Sequence, residues 1–228
     1  NVGVGLKEYP IYIGRRPIKN VIWNPSWIPP DSDWVAPGLA GKVISPRDPA
    51  NPLGKIKIPL GYNYLIHQAK GLQDMVNLVS HGCLRVMLKD LYELNDHIIA
   101  AQSLDISKEQ IAKAKRSKET FVVDLSSEIP IEITYDTVVI EAGKLHIYPD
   151  VYEYKKNGVE ILRDELTAND ISHEGISDET LQKMISKATA KKQYVISVEK
   201  LREGNFLGGE VLPVLNLRTP KRSVKRKK

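Results

Sequence analysis

LVSHGCLRV, residues 78–86, holds the only cysteine in the chain, Cys83, with Gly82 before it and His81 one place further back. Three readings fit nine residues: a nucleophile set in a tight turn, a metal-binding corner, or a buried thiol that follows a histidine. The flanks narrow the choice of fold. Behind the cysteine, KDLYELNDHIIAA changes period, with Leu91, Leu94, Ile98 and Ala101 recurring at three and four, which predicts an amphipathic helix over 89–101. Ahead of it, YNYLIH runs apolar over a strand length and ends on His67, sixteen positions before Cys83. That separation leaves room for a loop that departs from one strand and returns to the turn before the helix.

Such a return brings an imidazole towards a thiol, the pairing that activates a weak nucleophile. A free thiol, pKa about 8.5, is mostly protonated at neutral pH, and a neighbouring imidazole can take its proton. Attack on a carbonyl also needs donors for the oxyanion. Gly82 permits a sharp turn, and the amides of Gly82 and Cys83, expected at the head of the helix, would supply those donors. The helix dipole there is expected to lower the thiol pKa. His67, His81 and Cys83 are also a possible zinc set, although no fourth ligand is evident and the spacing is not that of a finger. His97 on the helix, His146 in a strand and His173 in a polar stretch read as surface or structural residues.

Bulk properties exclude several classes. The 228 residues are 42% apolar and 27% charged, without an apolar run near the ~20 residues that span a bilayer. The charge of +5 sits in a tail: Arg218 to Lys228 hold seven basic side chains and no acid, which leaves 26 basic against 28 acidic residues elsewhere. The near-neutral body is a poor nucleic-acid binder. A single cysteine excludes an intramolecular disulfide.

Residues 2–59 are rich in Pro, Gly and aromatics and carry Trp23, Trp27 and Trp34, a pattern of strands and loops. A second helix is predicted over 107–118, with Ser107 as N-cap and Gln110 completing a capping box. TFVVDL reads as a strand, and IPIEITYDTVVIEAGKLHIYP as a hairpin turning at Glu141-Ala142-Gly143-Lys144. Past Tyr154 the composition turns polar. A helix is expected from Asp178 to Lys192 behind the cap Ser177, then a strand at QYVISVEKL. The expected boundary thus falls at 153/154.

The string SHGCLR, Ser80–Arg85, with YLIH upstream, resembles the L,D-transpeptidase catalytic domain family, the YkuD domain. NPSWIPP, NPLG and the closing IPIEITYDTVVIEAGKLHIYPDVY resemble segments of its members, over roughly residues 1–153. The resemblance implies a mainly β, sandwich-like catalytic domain with helices, followed here by a smaller α/β extension over 154–228. It implies Cys83 as nucleophile, His67 as base, the carbonyl of Gln68 orienting that base, and Gly82 and Cys83 amides as the oxyanion site. Ser80, His81 and Arg85 would contact the substrate. Gln68 stands where glycine or serine is common. The implied chemistry uses no cofactor or metal. The thiol attacks a peptidoglycan stem peptide, expels its terminal D-alanine and passes the acyl group to an amine of a second stem, a lipoprotein or a free D-amino acid. Water as acceptor makes the same site a carboxypeptidase or hydrolase. A non-catalytic cell-wall-binding protein is the rival from another class. The implied location is the cell envelope, periplasmic or otherwise outside the cytoplasm, with the export segment not among these residues. The basic tail is expected to meet anionic envelope surfaces.

Overall fold

The structure is a computed structural model that describes residues 2–214 and divides into two compact units, Asn1–Tyr135 and Asp136–Lys228. The basic tail expected to meet anionic surfaces lies outside the described residues. The fold is β-rich with several helices, as the sequence implies.

In the first unit, β1 (Val2–Gly5), β2 (Gly14–Trp23), β3 (Ile56–Pro59), β4 (Leu65–Gln68), β5 (Leu78–Ser80), β6 (Leu84–Val86) and β7 (Phe121–Ile133) form a mixed sheet. Its order is β5-β1-β6-β4-β3-β2-β7. Strand β1 is parallel to β5 and antiparallel to β6, and β4 is parallel to β6; the other pairs are antiparallel. Strand β2 alternates buried and exposed positions and ends on Trp23, which is fully buried with Ile56, Ile58 and Leu60. Each such side chain contributes about 1.5–3 kcal/mol by leaving water.

Helix α1 (Leu88–Ala101) packs on this core through Leu91, Asn95 and Ile98. Two of the four residues expected on the buried face are exposed, Leu94 at 36% and Ala101. The face is rotated because Trp23 donates its indole N–H to Asn95 Oδ1 at 3.2 Å and stacks on Tyr92 at 5.4 Å. A buried indole N–H left unpaired costs about 1–3 kcal/mol, which favours a polar residue on the inner face. Helix α2 (Lys108–Arg116) begins at Ser107, and both hydrogen bonds of the capping box form: Ser107 N–H to Gln110 Oε1 at 2.7 Å, and Gln110 N–H to Ser107 Oγ at 3.2 Å.

The second unit holds β8 (Val138–Glu141), β9 (Lys144–Ile147), α3 (Val159–Ala168), α4 (Asp178–Ser186), β10 (Lys192–Ser197), α5 (Val198–Arg202) and β11 (Glu210–Pro213). The sheet is antiparallel, in the order β11-β10-β9-β8. Leu145, Ile147, Leu162, Leu166, Leu181, Met184 and Tyr194 fill its own core. The hairpin turns where expected, with Ala142 at φ 47° and Gly143 at φ 74°, the left-handed pair a tight two-residue turn needs.

The expected boundary moves from 153/154 to the peptide between Tyr135 and Asp136. IPIEI belongs to the long β7, whereas the 138–147 hairpin pairs with β10, so the closing segment read as one hairpin is split between two sheets. The helix expected to reach Lys192 stops at Ser186, and the strand expected through Leu201 stops at Ser197, whose hydroxyl caps α5 by accepting the Lys200 N–H.

Candidate active site

Strand pairing builds the site. His67 on β4 lies opposite Lys57 of β3 and opposite Arg85 of β6. Register partners share a sheet face and alternate residues return to it. His67, Arg85 and Cys83, two residues before Arg85, therefore lie on one face, while Ile66, Leu84 and Val86 turn to the core on the other. The fifteen-residue excursion between His67 and Cys83 carries one 3₁₀ turn, Leu72–Asp74, and β5.

Cys83 is not at a helix head, contrary to the expectation. Strand β6 intervenes, and α1 starts at Leu88. No helix dipole bears on the thiol; burial pushes its pKa up, opposed by the Leu65 amide and the positive charge of Arg85. The thiol donates to the Asn63 carbonyl at an S to O distance of 4.0 Å, a long contact, rather than to His67. His67 is 4% exposed. Desolvation first, and then the charge of Arg85, hold its pKa down at about 4; the carbonyls of Gln68 and Leu53 and the carboxylate of Asp74 pull the other way. Those carbonyls do not satisfy Nδ1, which is buried without a hydrogen-bond partner. At neutral pH the resting pair is therefore neutral imidazole and neutral thiol.

Gln68 places its side chain away from this pair: Oε1 accepts the Lys55 N–H at 2.8 Å and packs where a side chain on Gly54 would stand. Ser80 is buried and donates to the Cys83 carbonyl at 2.6 Å, closing the turn from inside. Its contribution is to the turn, with its hydroxyl already engaged. Gly82 has φ 98°, and a Cβ there would run into the ring of Tyr64, with Cδ1 at 2.9 Å. Outside the strand ladders no backbone hydrogen bond uses the amide of Gly82 or Cys83 among the described residues. Two such amides in a glycine-bent turn suit a developing oxyanion.

His81 is half-buried between Trp34, stacked at 4.2 Å and 11°, and Tyr9, edge-on at 4.9 Å. Burial and Arg85 lower its pKa. As for the zinc reading, no group of three or more His, Cys, Asp or Glu that could hold a metal ion comes together among the described residues. Arg85 pairs through Nη1 with Asp74 Oδ2 at 3.3 Å, and its Nε is buried without a partner. His97 is exposed near Glu93, His146 bonds Gln193, and His173 lies between Arg163 and Thr167.

Sequence reasoning missed Asn63, Tyr64, Asp74 and Tyr9. The hairpin turn that presents Asn63 and Tyr64 had a local signal, the GYN that follows Leu60; Tyr62 and Asn63 adopt φ 50° and 65°. Asp74 had none, because its partner is defined only by the strand order.

The sequence profile of the L,D-transpeptidase catalytic domain family, YkuD, matches residues 1–123, more than half of the 228, and the chain belongs to that family. No curated protein matches the chain. It thus carries a catalytic domain of the L,D-transpeptidase type, a family that acts on peptidoglycan, outside the membrane. Among the described residues no helix is long and apolar enough to cross a membrane.

Proposed function

We propose that the protein is a cysteine-dependent L,D-transpeptidase acting outside the cytoplasm on peptidoglycan stem peptides. The observation that carries the reading is the placement of His67 and Cys83 on one face of the paired strands β4 and β6, beside a glycine-bent turn whose amides are open. The Cys83 proton passes to the His67 imidazole as sulfur bonds to the carbonyl carbon of the stem residue that precedes the terminal D-alanine. The Gly82 and Cys83 amides hold the oxyanion. The carbon–nitrogen bond to the terminal D-alanine breaks, and its nitrogen leaves with the proton from the imidazolium. An amine then attacks the thioester, gives up a proton to His67, and carries the acyl group away as the Cys83 sulfur departs and takes that proton back from the imidazolium.

The acceptor amine, from a second stem, a lipoprotein or a free D-amino acid, enters that last step; water entering it gives the carboxypeptidase or hydrolase outcome. The neutral resting pair supports proton transfer coupled to attack, not a standing thiolate. Arg85, whose Nε has no hydrogen-bond partner and whose side chain is 15% exposed, suits a substrate carboxylate.

Incubation with tetrapeptide-bearing muropeptides should release D-alanine and leave an acyl adduct on Cys83 by mass spectrometry, and a carbapenem should give the corresponding covalent adduct. Cys83→Ala should abolish both. Equal D-alanine release by wild type and Cys83→Ala refutes the reading, and product analysis with and without an added amine separates transfer from hydrolysis. Wild-type protein that binds sacculi but forms no adduct is the non-catalytic outcome.

A further inference from the structure

The acid that faces the site lies on neither the motif nor its strands. Asp74 closes the 3₁₀ turn Leu72–Asp74, and its side chain is 5% exposed. Its Oδ2 accepts the Lys70 N–H at 2.7 Å and the Arg85 Nη1 donor at 3.3 Å. Arg85, 15% exposed, lies opposite His67 in the sheet register. A guanidinium so enclosed and so close to the imidazole has two opposite effects. It stabilises a thiolate on Cys83 and it destabilises an imidazolium on His67.

The groups facing His67 sort by element. From β3 comes Lys57, whose Nζ is drawn to the Ser26 carbonyl at 3.3 Å. From β6 and the turn before it come Arg85 and Cys83, with His81 held between its aromatic neighbours. From the 3₁₀ turn comes Asp74, the one carboxylate among them. Proton transfer from sulfur to imidazole turns a neutral pair into a thiolate and an imidazolium; the Arg85 charge favours the first and opposes the second, and the Asp74 carboxylate offsets that opposition at the ring.

We propose that Asp74 is a positioning residue for this site: its carboxylate fixes Arg85 on the face shared with His67 and Cys83 and offsets the guanidinium's charge there. The inference rests on the acyl-transfer reading. The proton still leaves Sγ for the ring nitrogen and goes on to the departing amine; Asp74 takes no proton and touches no substrate. It lets one arginine remain available to an anionic substrate without blocking the base beside it.

The test separates two readouts, kcat for D-alanine release and the rate at which iodoacetamide alkylates Cys83, both at pH 7. Asp74→Asn keeps the shape and an acceptor for the Lys70 N–H but removes the charge. Its kcat is expected to fall about tenfold, while alkylation stays equal or rises up to about threefold because the unopposed Arg85 favours the thiolate. Asp74→Glu should recover kcat to within about threefold of wild type. In an Arg85→Gln background, adding Asp74→Asn should change kcat by less than about threefold, since the charge it offsets is gone.

The double variant leaves no unpaired ion buried and Asp74→Glu retains the pair, so these two, each compared with wild type, carry the test even if Asp74→Asn or Arg85→Gln alone fails to fold. The proposal is overturned if Asp74→Asn leaves kcat unchanged, if alkylation falls along with kcat, or if the full penalty persists without Arg85. Wild type that releases no D-alanine would refute the functional reading instead, and the alkylation arm, which needs no substrate, would still report on Asp74.

Discussion

Replacing Gly82 by alanine tests the turn on which the site depends. Two costs add. At φ 98° a residue with a Cβ sits in a sparsely populated region, at about 1–3 kcal/mol. The new methyl would also overlap the Tyr64 ring, with Cδ1 at 2.9 Å and the Pro10 carbonyl at 3.5 Å behind it, and overpacking of this kind costs about 1–3 kcal/mol more. The ring has little room to retreat, because Tyr64 packs against the core and the Arg16 guanidinium lies 5.3 Å from its centroid. Gly82→Ala should therefore destabilise the first unit by about 2–6 kcal/mol, a large part of a typical domain's ~5–15. Trp23, Trp27 and Trp34 all lie in the first unit, so tryptophan fluorescence during urea unfolding follows that unit alone. Tyr64→Ala removes the overlap but not the backbone strain, so the double variant should be more stable than the sum of the singles by about 1–3 kcal/mol. A Gly82→Ala protein within ~0.5 kcal/mol of wild type, or strict additivity with Tyr64→Ala, would refute the steric argument.

The depressed His67 pKa makes stability depend on acid. The unfolded chain binds a proton near pH 6.5 and the folded one only at about 4, so the contribution is complete above 6.5 and is lost as pH falls to 4, by about 3 kcal/mol in total. His67→Gln should flatten the urea midpoint across that window, and an unchanged slope would count against burial as the cause. Ser80→Ala leaves the Cys83 carbonyl without its 2.6 Å donor in a partly buried turn and should cost about 1 kcal/mol by the same fluorescence assay, with D-alanine release reduced as well. In the resting protein, alkylation of Cys83 should show its inflection at higher pH than a small thiol does; an inflection below neutrality would mean a standing thiolate, contrary to the desolvated position ahead of β6.

Much of the site was legible because its parts are local or have a fixed spacing. His67, Gly82 and Cys83 could be named from the string and the sixteen-residue interval, and the capping box of α2 from Ser107 and Gln110. What misled were choices made by pairing rather than by period. LRV is too short to declare itself a strand, and it becomes one by lying between β1 and β4; that removed the helix dipole from the thiol and with it the expectation of a lowered pKa. The 138–147 hairpin has the same local pattern whichever sheet receives it, and Tyr194 and Val195 of β10, more than 45 residues on, decided the matter.

Periodicity, turn chemistry and one short motif in the sequence alone thus pointed to a β-rich catalytic domain, its family resemblance and its two principal candidate residues, since each depends on neighbours along the chain. Only the tertiary structure decided the protonation state of those residues and the company they keep. The low His67 pKa, the Asn63 carbonyl on the thiol, the Trp34 and Tyr9 rings around His81 and the Asp74 carboxylate on Arg85 all depend on burial and through-space charge. Those quantities exist only once distant segments have been brought together.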